Sequence, residues 1–347
     1  MKAKPKVLII YTGGTIGMIK DQETGELKSF DFNHIYKHVP EIHRLHVELS
    51  TFSFEEPIDS SEMNPMRWIQ IAQTIFDNYA HYDGFVVLHG SDTMAFSASA
   101  LSFMLQGLKK PVIFTGSQLP IGTIRTDGKE NLITAIEIAA DKDAQNESIV
   151  QEVTVYFEYS LYRGNRSSKI SANQFEAFAS PNYAELAKAG IRIEYNMDKL
   201  FRSELAELKF VAEMDNRVAL LKIFPGFPAD AYKTLFDRNI TKAVILETFG
   251  AGNAPSDETF RNLIANYIKE GGIVLNTTQC GSGSVQQGKY ETSSFFNKVG
   301  VISGNDITTE ASITKLMHLL GTEKQLDKIV IQLKKPICGE MSTLRND

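Results

Sequence analysis

The chain has 347 residues, of which 43% are hydrophobic and 22% charged, a composition typical of a globular protein of about two domains. Its net charge of -6 argues against a nucleic-acid partner, because such proteins usually carry a basic surface. The two cysteines, Cys280 and Cys338, are too few for a disulfide framework, and no apolar run approaches the ~20 residues of a membrane span.

The N-terminal stretch predicts a first strand and not a leader peptide. Its apolar residues run only from Val7 to Tyr11 before the chain reaches Gly13, whereas a secretory signal needs roughly 7–15 apolar residues. We therefore expect no leader, and together with the low cysteine content we expect a cytoplasmic location.

A glycine-rich turn, Thr12 to Gly17, follows this first strand. Glycines let a backbone bend sharply and bring its N–H groups close to a ligand, although such turns are also ordinary connections in α/β domains. Neither a dinucleotide fingerprint nor a phosphate loop with Gly-Lys-Ser/Thr is present, which disfavours a nucleotide. The polar segment from Asp21 to Ser29 is interpreted as a mobile loop that covers the turn as a lid.

Four histidines follow at spacings that raise the question of a metal site: His34, His38, His43 and His46. No cysteine and no His-Glu-x-x-His pattern accompanies them, and metal geometry is demanding. We therefore favour a surface or core role for these side chains and predict no metal.

Polar residues Asp59, Ser60 and Ser61 lie between a predicted strand, Val47 to Phe54, and a predicted helix, Pro65 to Tyr79. One of them is expected to cap that helix. The same position faces the edge at which strands end, so that capping and ligand binding are compatible.

The stretch that organises the chain runs from Tyr82 to Thr93, with the sequence YDGFVVLHGSDT. A short apolar run closed by glycine predicts a strand that is buried on both faces. The next residues have helical periodicity, and ligands in α/β sheets bind outside the carboxyl ends of the strands. Two hydroxyls and a carboxylate at this place therefore indicate a functional site.

Further strands are predicted at Pro111 to Thr115 and Val153 to Phe157, with a helix at Asp127 to Ala139 between them. Strand–helix alternation is expected to continue to about Tyr195. The predicted fold class is α/β, with a larger N-terminal doubly wound, mostly parallel sheet domain and a smaller C-terminal α/β domain. We place the N-terminal domain at residues 1–196, a linker at 197–216 and the C-terminal domain at 217–347.

The polar residues at the strand ends fit acyl transfer. Thr15 and Ser91 supply hydroxyls, which are weak nucleophiles until a base takes their proton, and Asp92 and Lys169 are the candidates for that role. Backbone N–H groups of the glycine-rich turn can hold a developing oxyanion. No Ser-His-Asp arrangement is evident, and His89 is interpreted as a buried structural residue.

These motifs together resemble those of bacterial L-asparaginases, most closely the type I, cytoplasmic-type branch. The resemblance covers nearly the whole chain and rests on GGTI (from Gly13), DSSEMNP (from Asp59), HGSDT (from His89), TGSQLP, LYRGNRSSK, FASPN, GAGNAP and NTTQCGSG. One motif alone would be weak, but these motifs in this order are specific.

The resemblance implies L-asparagine as the substrate and Thr15 as the primary nucleophile on a flexible loop. It assigns the second catalytic group to Ser91, Asp92 and Lys169. It implies a homodimer or a dimer-of-dimers tetramer that needs no metal or organic cofactor, with Asn253 reaching the site of a neighbouring subunit. The substrate would be held by Asp59, Ser60, Ser61, Gly90, Asp92, Ser117 and Asn253.

Three positions depart from the family pattern. Ser91 stands where the second motif usually has threonine, which keeps the hydroxyl and loses a methyl group. The loop tyrosine that orients the nucleophile is missing from the stretch Gly25 to Lys28. Some type I enzymes also carry an activating second asparagine site that uses an arginine, and here that position holds Glu247. A glutamate would repel the ligand carboxylate, so we predict that this second site is lost.

The predicted activity is hydrolysis of L-asparagine to L-aspartate and ammonia. Two alternatives remain open. One is the related tRNA-dependent amidotransferase subunit, which has an additional N-terminal domain that we expect to be lacking here because the glycine-rich turn begins at Thr12. The other is a non-catalytic amino-acid sensor, which the missing tyrosine keeps open.

Overall fold

The computed structural model describes residues 3–20, 27–29, 39–288 and 291–343. The chain divides into two compact units, Met1–Ala212 and Glu213–Asp347, called here the first and the second unit. Among the described residues, none of the helices combines the length and the apolar character needed to cross a membrane.

Short strands and three longer helices make up the described part of the first unit. The strands are β1 (Lys6–Tyr11), β2 (Met18–Lys20), β3 (Leu27–Ser29), β4 (Glu48–Ser53), β5 (Gly84–Leu88), β6 (Leu105–Gln106), β7 (Val112–Thr115), β8 (Val153–Phe157), β9 (Ser160–Arg163), β10 (Ser168–Lys169), β11 (Phe178–Ala179), β12 (Ala187–Ala189), β13 (Ile193–Tyr195) and β14 (Lys209–Phe210). The α-helices are α1 (Pro65–Asn78), α2 (Met94–Met104) and α3 (Gly128–Ala140). Short 3-10 helices lie at Thr15–Gly17, Pro40–Arg44, Ser60–Glu62, Ser91–Thr93, Gly164–Arg166 and Met197–Lys199.

The main sheet of the first unit has the strand order β13-β12-β9-β8-β7-β5-β1-β4. The pairs from β4 to β8 are parallel, and the pairs from β8 to β13 are antiparallel. Because parallel strands end at the same edge, the loops that follow β1, β4, β5 and β7 emerge side by side. This architecture confirms the predicted α/β class.

The central strand β5 is buried along its whole length, as the sequence predicted. Its side chains alternate between the two faces, and Val86 and Leu88 share an apolar cluster with Val7 and Ile9 of β1. Helix α2 is also buried nearly all round, and its serines at the buried positions form hydrogen bonds. The strand end that bears the polar motif is therefore fixed by packing on both sides.

The expected strand–helix alternation up to Tyr195 is wrong. Strands β8 and β9 form an antiparallel hairpin through Glu158 and Tyr159, which have φ angles of 44° and 69°. The N–H of Glu158 donates to the side-chain oxygen of Asn131, which helps to hold this turn. Neither residue is a glycine or asparagine, so the sequence carried no turn signal at this point.

The segment interpreted as a linker, residues 197–216, contains a 3-10 helix at its start and strand β14. Strand β14 pairs antiparallel with β6. The boundary between the two units falls after Ala212, within this segment.

The second unit has a parallel four-stranded sheet with the order β15-β16-β17-β18. Apolar clusters lie on both faces of this sheet. The predicted helix from Ala229 to Phe236 is a 3-10 helix. The strands are β15 (Val218–Lys222), β16 (Ala243–Thr248), β17 (Ile273–Thr278) and β18 (Ile302–Ser303), and the α-helices are α4 (Glu258–Lys269), α5 (Glu291–Val299), α6 (Thr309–Thr322) and α7 (Leu326–Leu333).

Candidate active site

Close backbone contacts at glycines assemble the loops after β1, β4 and β5. A Cβ atom on Gly13 would lie 2.2 Å from the carbonyl oxygen of Ile58, and one on Gly14 would lie 2.5 Å from the nitrogen of Gly90. A Cβ atom on Gly90 would lie 2.6 Å from the Cβ and Oγ of Ser60. Both Gly13 and Gly14 also have positive φ angles, 136° and 90°. Only glycine fits at these contacts, which explains the glycine-rich sequence.

Thr15 begins the 3-10 helix that follows this glycine contact and is half-buried. Tyr11 supports the other end of the same turn, because its hydroxyl donates to the carbonyl of Gly17 over 3.2 Å. A Cβ atom on Gly17 would lie 2.3 Å from that hydroxyl oxygen, so the tyrosine ring packs directly on the turn. The position of Thr15 is therefore set by the packing of Gly14 before it and by the contact of Tyr11 with Gly17 after it.

The structure brings Ser91, Asp92 and Lys169 into direct contact. The Lys169 Nζ donates to Ser91 Oγ over 2.7 Å and to Asp92 Oδ1 over 2.7 Å. The lysine side chain is 15% exposed, whereas that of Asp92 is 72% exposed. The carboxylate thus faces solvent, while the lysine is shielded beside a hydroxyl.

Asp59 caps the 3-10 helix Ser60–Glu62, which packs against Gly90 through Ser60. The carboxylate of Asp59 accepts from the N–H and the hydroxyl of Ser61, both over 2.9 Å, and these hydrogen bonds lower the pKa of Asp59. Ser60 is buried and Ser61 is exposed.

The expectation that one of these residues caps α1 is wrong, because the side chain of Asn64 accepts from the N–H groups of Met66 and Arg67.

Ser117 and Asn253 are the remaining residues predicted to bind the substrate. The Ser117 hydroxyl donates to the carbonyl of Leu119 over 2.6 Å, so it is engaged within its own loop. Asn253 belongs to the second unit, in the turn after β16, where its backbone pairs with Phe249.

His89 is a buried link in a polar chain. Its Nδ1 contacts the carbonyl of Gly90, so that nitrogen carries the proton, and Nε2 accepts from the Ser97 hydroxyl, which in turn accepts from the Trp68 indole. Burial lowers the pKa of His89 to about 4, which keeps the ring neutral. These contacts support the structural interpretation of this residue.

Gln118 and Asp127 also hold the site, and sequence reasoning gave them no role. The carboxylate of Asp127 accepts from the N–H groups of Gln118 and Leu119 over 2.8 and 3.1 Å, and burial raises its pKa. Gln118 Oε1 accepts from Ser91 Oγ over 3.3 Å. The available signal was a polar glutamine three residues after the end of a buried strand, in the motif TGSQLP.

Several sequence predictions fall partly outside the described residues. Strands β2 and β3 pair as an antiparallel hairpin, but residues 21–26 of the proposed lid, including Gly25 and Glu26, are not described. His34 and His38 are not described either. Among the residues that the structure does describe, no group of three or more histidine, cysteine, aspartate or glutamate side chains is placed to hold a metal ion.

Comparison with protein families places this fold and site in one family of enzymes. Residues 6–201 match the family described as Asparaginase, N-terminal, and residues 217–331 match the Glutaminase/Asparaginase C-terminal domain. The chain therefore belongs to the asparaginase family, as its motifs predicted.

Individual relatives show which branch of the asparaginase family the chain resembles. The chain is 41% identical to L-asparaginase 1 of Escherichia coli (strain K12) over 343 residues, which cover 98% of both chains. It is similar to the solved structure of L-asparaginase I from Vibrio cholerae, with 37% identity, a TM-score of 0.89 and coverage of 98% of this chain and 100% of that one. The thermostable L-asparaginase from Thermococcus kodakarensis has 30% identity and a TM-score of 0.88, over 97% and 99% of the two chains. These similarities confirm the resemblance to the type I branch.

Proposed function

We propose that this protein hydrolyses L-asparagine to L-aspartate and ammonia, with Thr15 as the nucleophile. The observation that carries the proposal is the contact of Lys169 with both Ser91 and Asp92, next to the glycine-packed turn that bears Thr15. A hydroxyl nucleophile with a lysine and a carboxylate beside it can cleave an amide through an acyl-enzyme.

Substrate binding follows from charge and position. The exposed carboxylate of Asp92 pairs with the substrate ammonium group, and the hydroxyls of Ser60 and Ser61 with the N–H of Gly90 hold its carboxylate end. Asp59 supports this turn through its two hydrogen bonds to Ser61.

The chemistry proceeds in two steps. The Oγ of Thr15 attacks the side-chain amide carbon, and backbone N–H groups of the Gly13–Thr15 turn and near Ser91 stabilise the oxyanion. The C–N bond then breaks as Lys169, acting through Ser91, delivers a proton to the leaving ammonia, and the proton that Thr15 loses on attack replaces the one that Lys169 gives up. Water attacks the resulting ester, releases L-aspartate and returns the proton to Thr15, so neither a metal nor an organic cofactor enters the balance.

We place the protein in the cytoplasm as a homodimer or a dimer-of-dimers tetramer. In this arrangement Asn253 of the partner subunit completes the substrate site, and Ser117 lies near the substrate amide. The support for both assignments is the match of their motifs, GAGNAP and TGSQLP, to the family pattern.

Ammonia release from L-asparagine by the purified protein tests the proposal. We expect sustained release with stoichiometric L-aspartate, without added metal, nucleotide or tRNA. Binding of asparagine without ammonia release would identify an amino-acid sensor, and release that depends on a charged tRNA and a second subunit would identify an amidotransferase component.

A further inference from the structure

Gln118 connects the two parts of the Ser91–Lys169 pair, which come from separate elements. Ser91 lies in the turn after β5, while Lys169 lies on β10, which pairs antiparallel with β11. The Nε2 of Gln118 donates to the backbone carbonyl of Gln174 over 2.9 Å, in the loop between β10 and β11. The Oε1 of the same amide accepts from Ser91. One side chain therefore spans from the serine to the hairpin that carries the lysine.

The orientation of the Gln118 amide is determined by its partners. A carbonyl oxygen can only accept, so the NH2 end of the amide must face Gln174 and the oxygen must face Ser91. The backbone of Gln118 is fixed as well, because its N–H donates to the buried carboxylate of Asp127 over 2.8 Å. The Oε1 of Gln118 is thus held in place both by the backbone contact with Asp127 and by the contact of the amide nitrogen with Gln174.

This acceptor determines where the Ser91 hydroxyl proton points. The ammonium group of Lys169 only donates, and it donates to Ser91 Oγ over 2.7 Å. The one proton of the hydroxyl is then directed to Gln118, and a lone pair of the oxygen is directed to the lysine. When a leaving group takes the Ser91 hydroxyl proton, that proton leaves Gln118, and the lone pair already held against Lys169 receives the replacement proton.

We propose that Gln118 is a positioning residue that aligns the Ser91 hydroxyl and the Lys169 hairpin for proton delivery to the departing ammonia. This role rests on the proposed function of the site. Gln118 acts through Ser91 and needs no contact with the substrate. Its loss affects the step in which the C–N bond breaks, because an amide nitrogen leaves only after it is protonated, whereas the alkoxide of an ester leaves much more readily.

Steady-state kinetics with L-asparagine and L-aspartate β-methyl ester test this role in the full-length protein. We expect Gln118→Leu to lower kcat for asparagine by about tenfold or more, the order of effect of one lost hydrogen bond in a proton-transfer step, with KM changed by less than about threefold. For the methyl ester we expect kcat to stay within about threefold of wild type. Gln118→Glu retains an acceptor for Ser91 and should recover part of the asparagine kcat.

Gln73→Leu is the matched control, because Gln73 is exposed on α1 and its side chain donates to Asp77 of the same helix. Melting temperatures of all variants establish that each is folded. Equal losses on both substrates, or wild-type turnover of asparagine by Gln118→Leu, would overturn the positioning role. A wild-type protein that hydrolyses neither substrate would contradict the proposed function itself.

Discussion

Lys169 and Ser91 are in direct contact, so we expect neither residue to support proton transfer without the other. Lys169 is shielded and lies 2.7 Å from the Ser91 oxygen, and in the proposed mechanism it acts on the substrate through that oxygen. Two groups that act in one proton path form a unit, and removing either breaks the whole path. This coupling is a property of the residue pair that can be measured.

We expect Ser91→Ala and Lys169→Met each to lower kcat for asparagine strongly, on the order of a hundredfold, as for a lost general acid. The double variant should be hardly slower than the slower single variant, because the path is already broken. Ser91→Thr restores the residue usual in the family and should be tolerated. Kinetics of the four variants check this, and losses that multiply in the double variant would show that the two residues act independently.

At the scale of elements, the strand ends and their loops explain why the site forms where it does. The sequence predicted β5 and its polar end because a buried strand closed by glycine is a local pattern. It also indicated Ser91, Asp92 and Lys169 as candidates, and the structure brings these three side chains together.

Other elements depend on information that no local pattern carries. The β8–β9 hairpin turns at Glu158 and Tyr159, whose positive φ angles are imposed by strand pairing and by Asn131. The role of Gln118 depends on a backbone carbonyl 56 residues away, which periodicity and motif spacing do not reveal. Helices α5 and α7 of the second unit were also not predicted.

The glycine contacts between loops lead to a prediction at this scale. Gly13→Ala places a methyl group against the Ile58 carbonyl at a φ of 136°, so the turn that bears Thr15 must shift. We expect a loss of about 1–3 kcal/mol in the free energy of unfolding and a fall in kcat. Urea denaturation and ammonia release measure the two effects. Gly281→Ala is the control, because no atom of the described residues other than its chain neighbours lies within 4 Å of its Cβ position. Equal behaviour of the two variants would contradict the role of the Gly13 contact.

At the scale of the whole molecule, each unit contains one buried neutral histidine among the residues that the structure describes. Burial lowers the pKa of His89 in the first unit and of His318 in the second unit to about 4, from an ordinary value of 6.5. The unfolded chain binds a proton at each histidine below pH 6.5, whereas the folded chain does not until about pH 4. The stability that these residues contribute is therefore fully present above pH 6.5 and is lost as the pH falls to 4.

We expect acid to destabilise the protein by on the order of 3 kcal/mol for each of these histidines across this range. His89→Gln should reduce the difference in unfolding free energy between neutral and acidic buffer, even though it is less stable at neutral pH. Urea denaturation at several pH values measures this. His81→Gln, at an exposed position, is the control, and an unchanged pH dependence in His89→Gln would contradict the assignment.

Regulation by substrate is a second property of the whole molecule. The carboxylate of Glu247 accepts a hydrogen bond from the Thr309 hydroxyl and lies 3.5 Å from the Lys222 Nζ. A carboxylate that already has these partners offers no donor to the carboxylate of a second asparagine. We therefore expect hyperbolic dependence of the initial rate on asparagine concentration. A sigmoidal curve with a Hill coefficient clearly above one, retained in Glu247→Ala, would contradict this prediction.

The most direct test of the central claim is the behaviour of Thr15→Val. Valine keeps the shape of threonine and removes only the hydroxyl that we assign as nucleophile, in a turn held by Gly14 and Tyr11. We predict that turnover of L-asparagine falls by at least about a thousandfold, the order expected when covalent catalysis is lost, while calorimetry still detects asparagine binding. Turnover near the wild-type rate would contradict the assignment of Thr15 and the acyl-enzyme route with it.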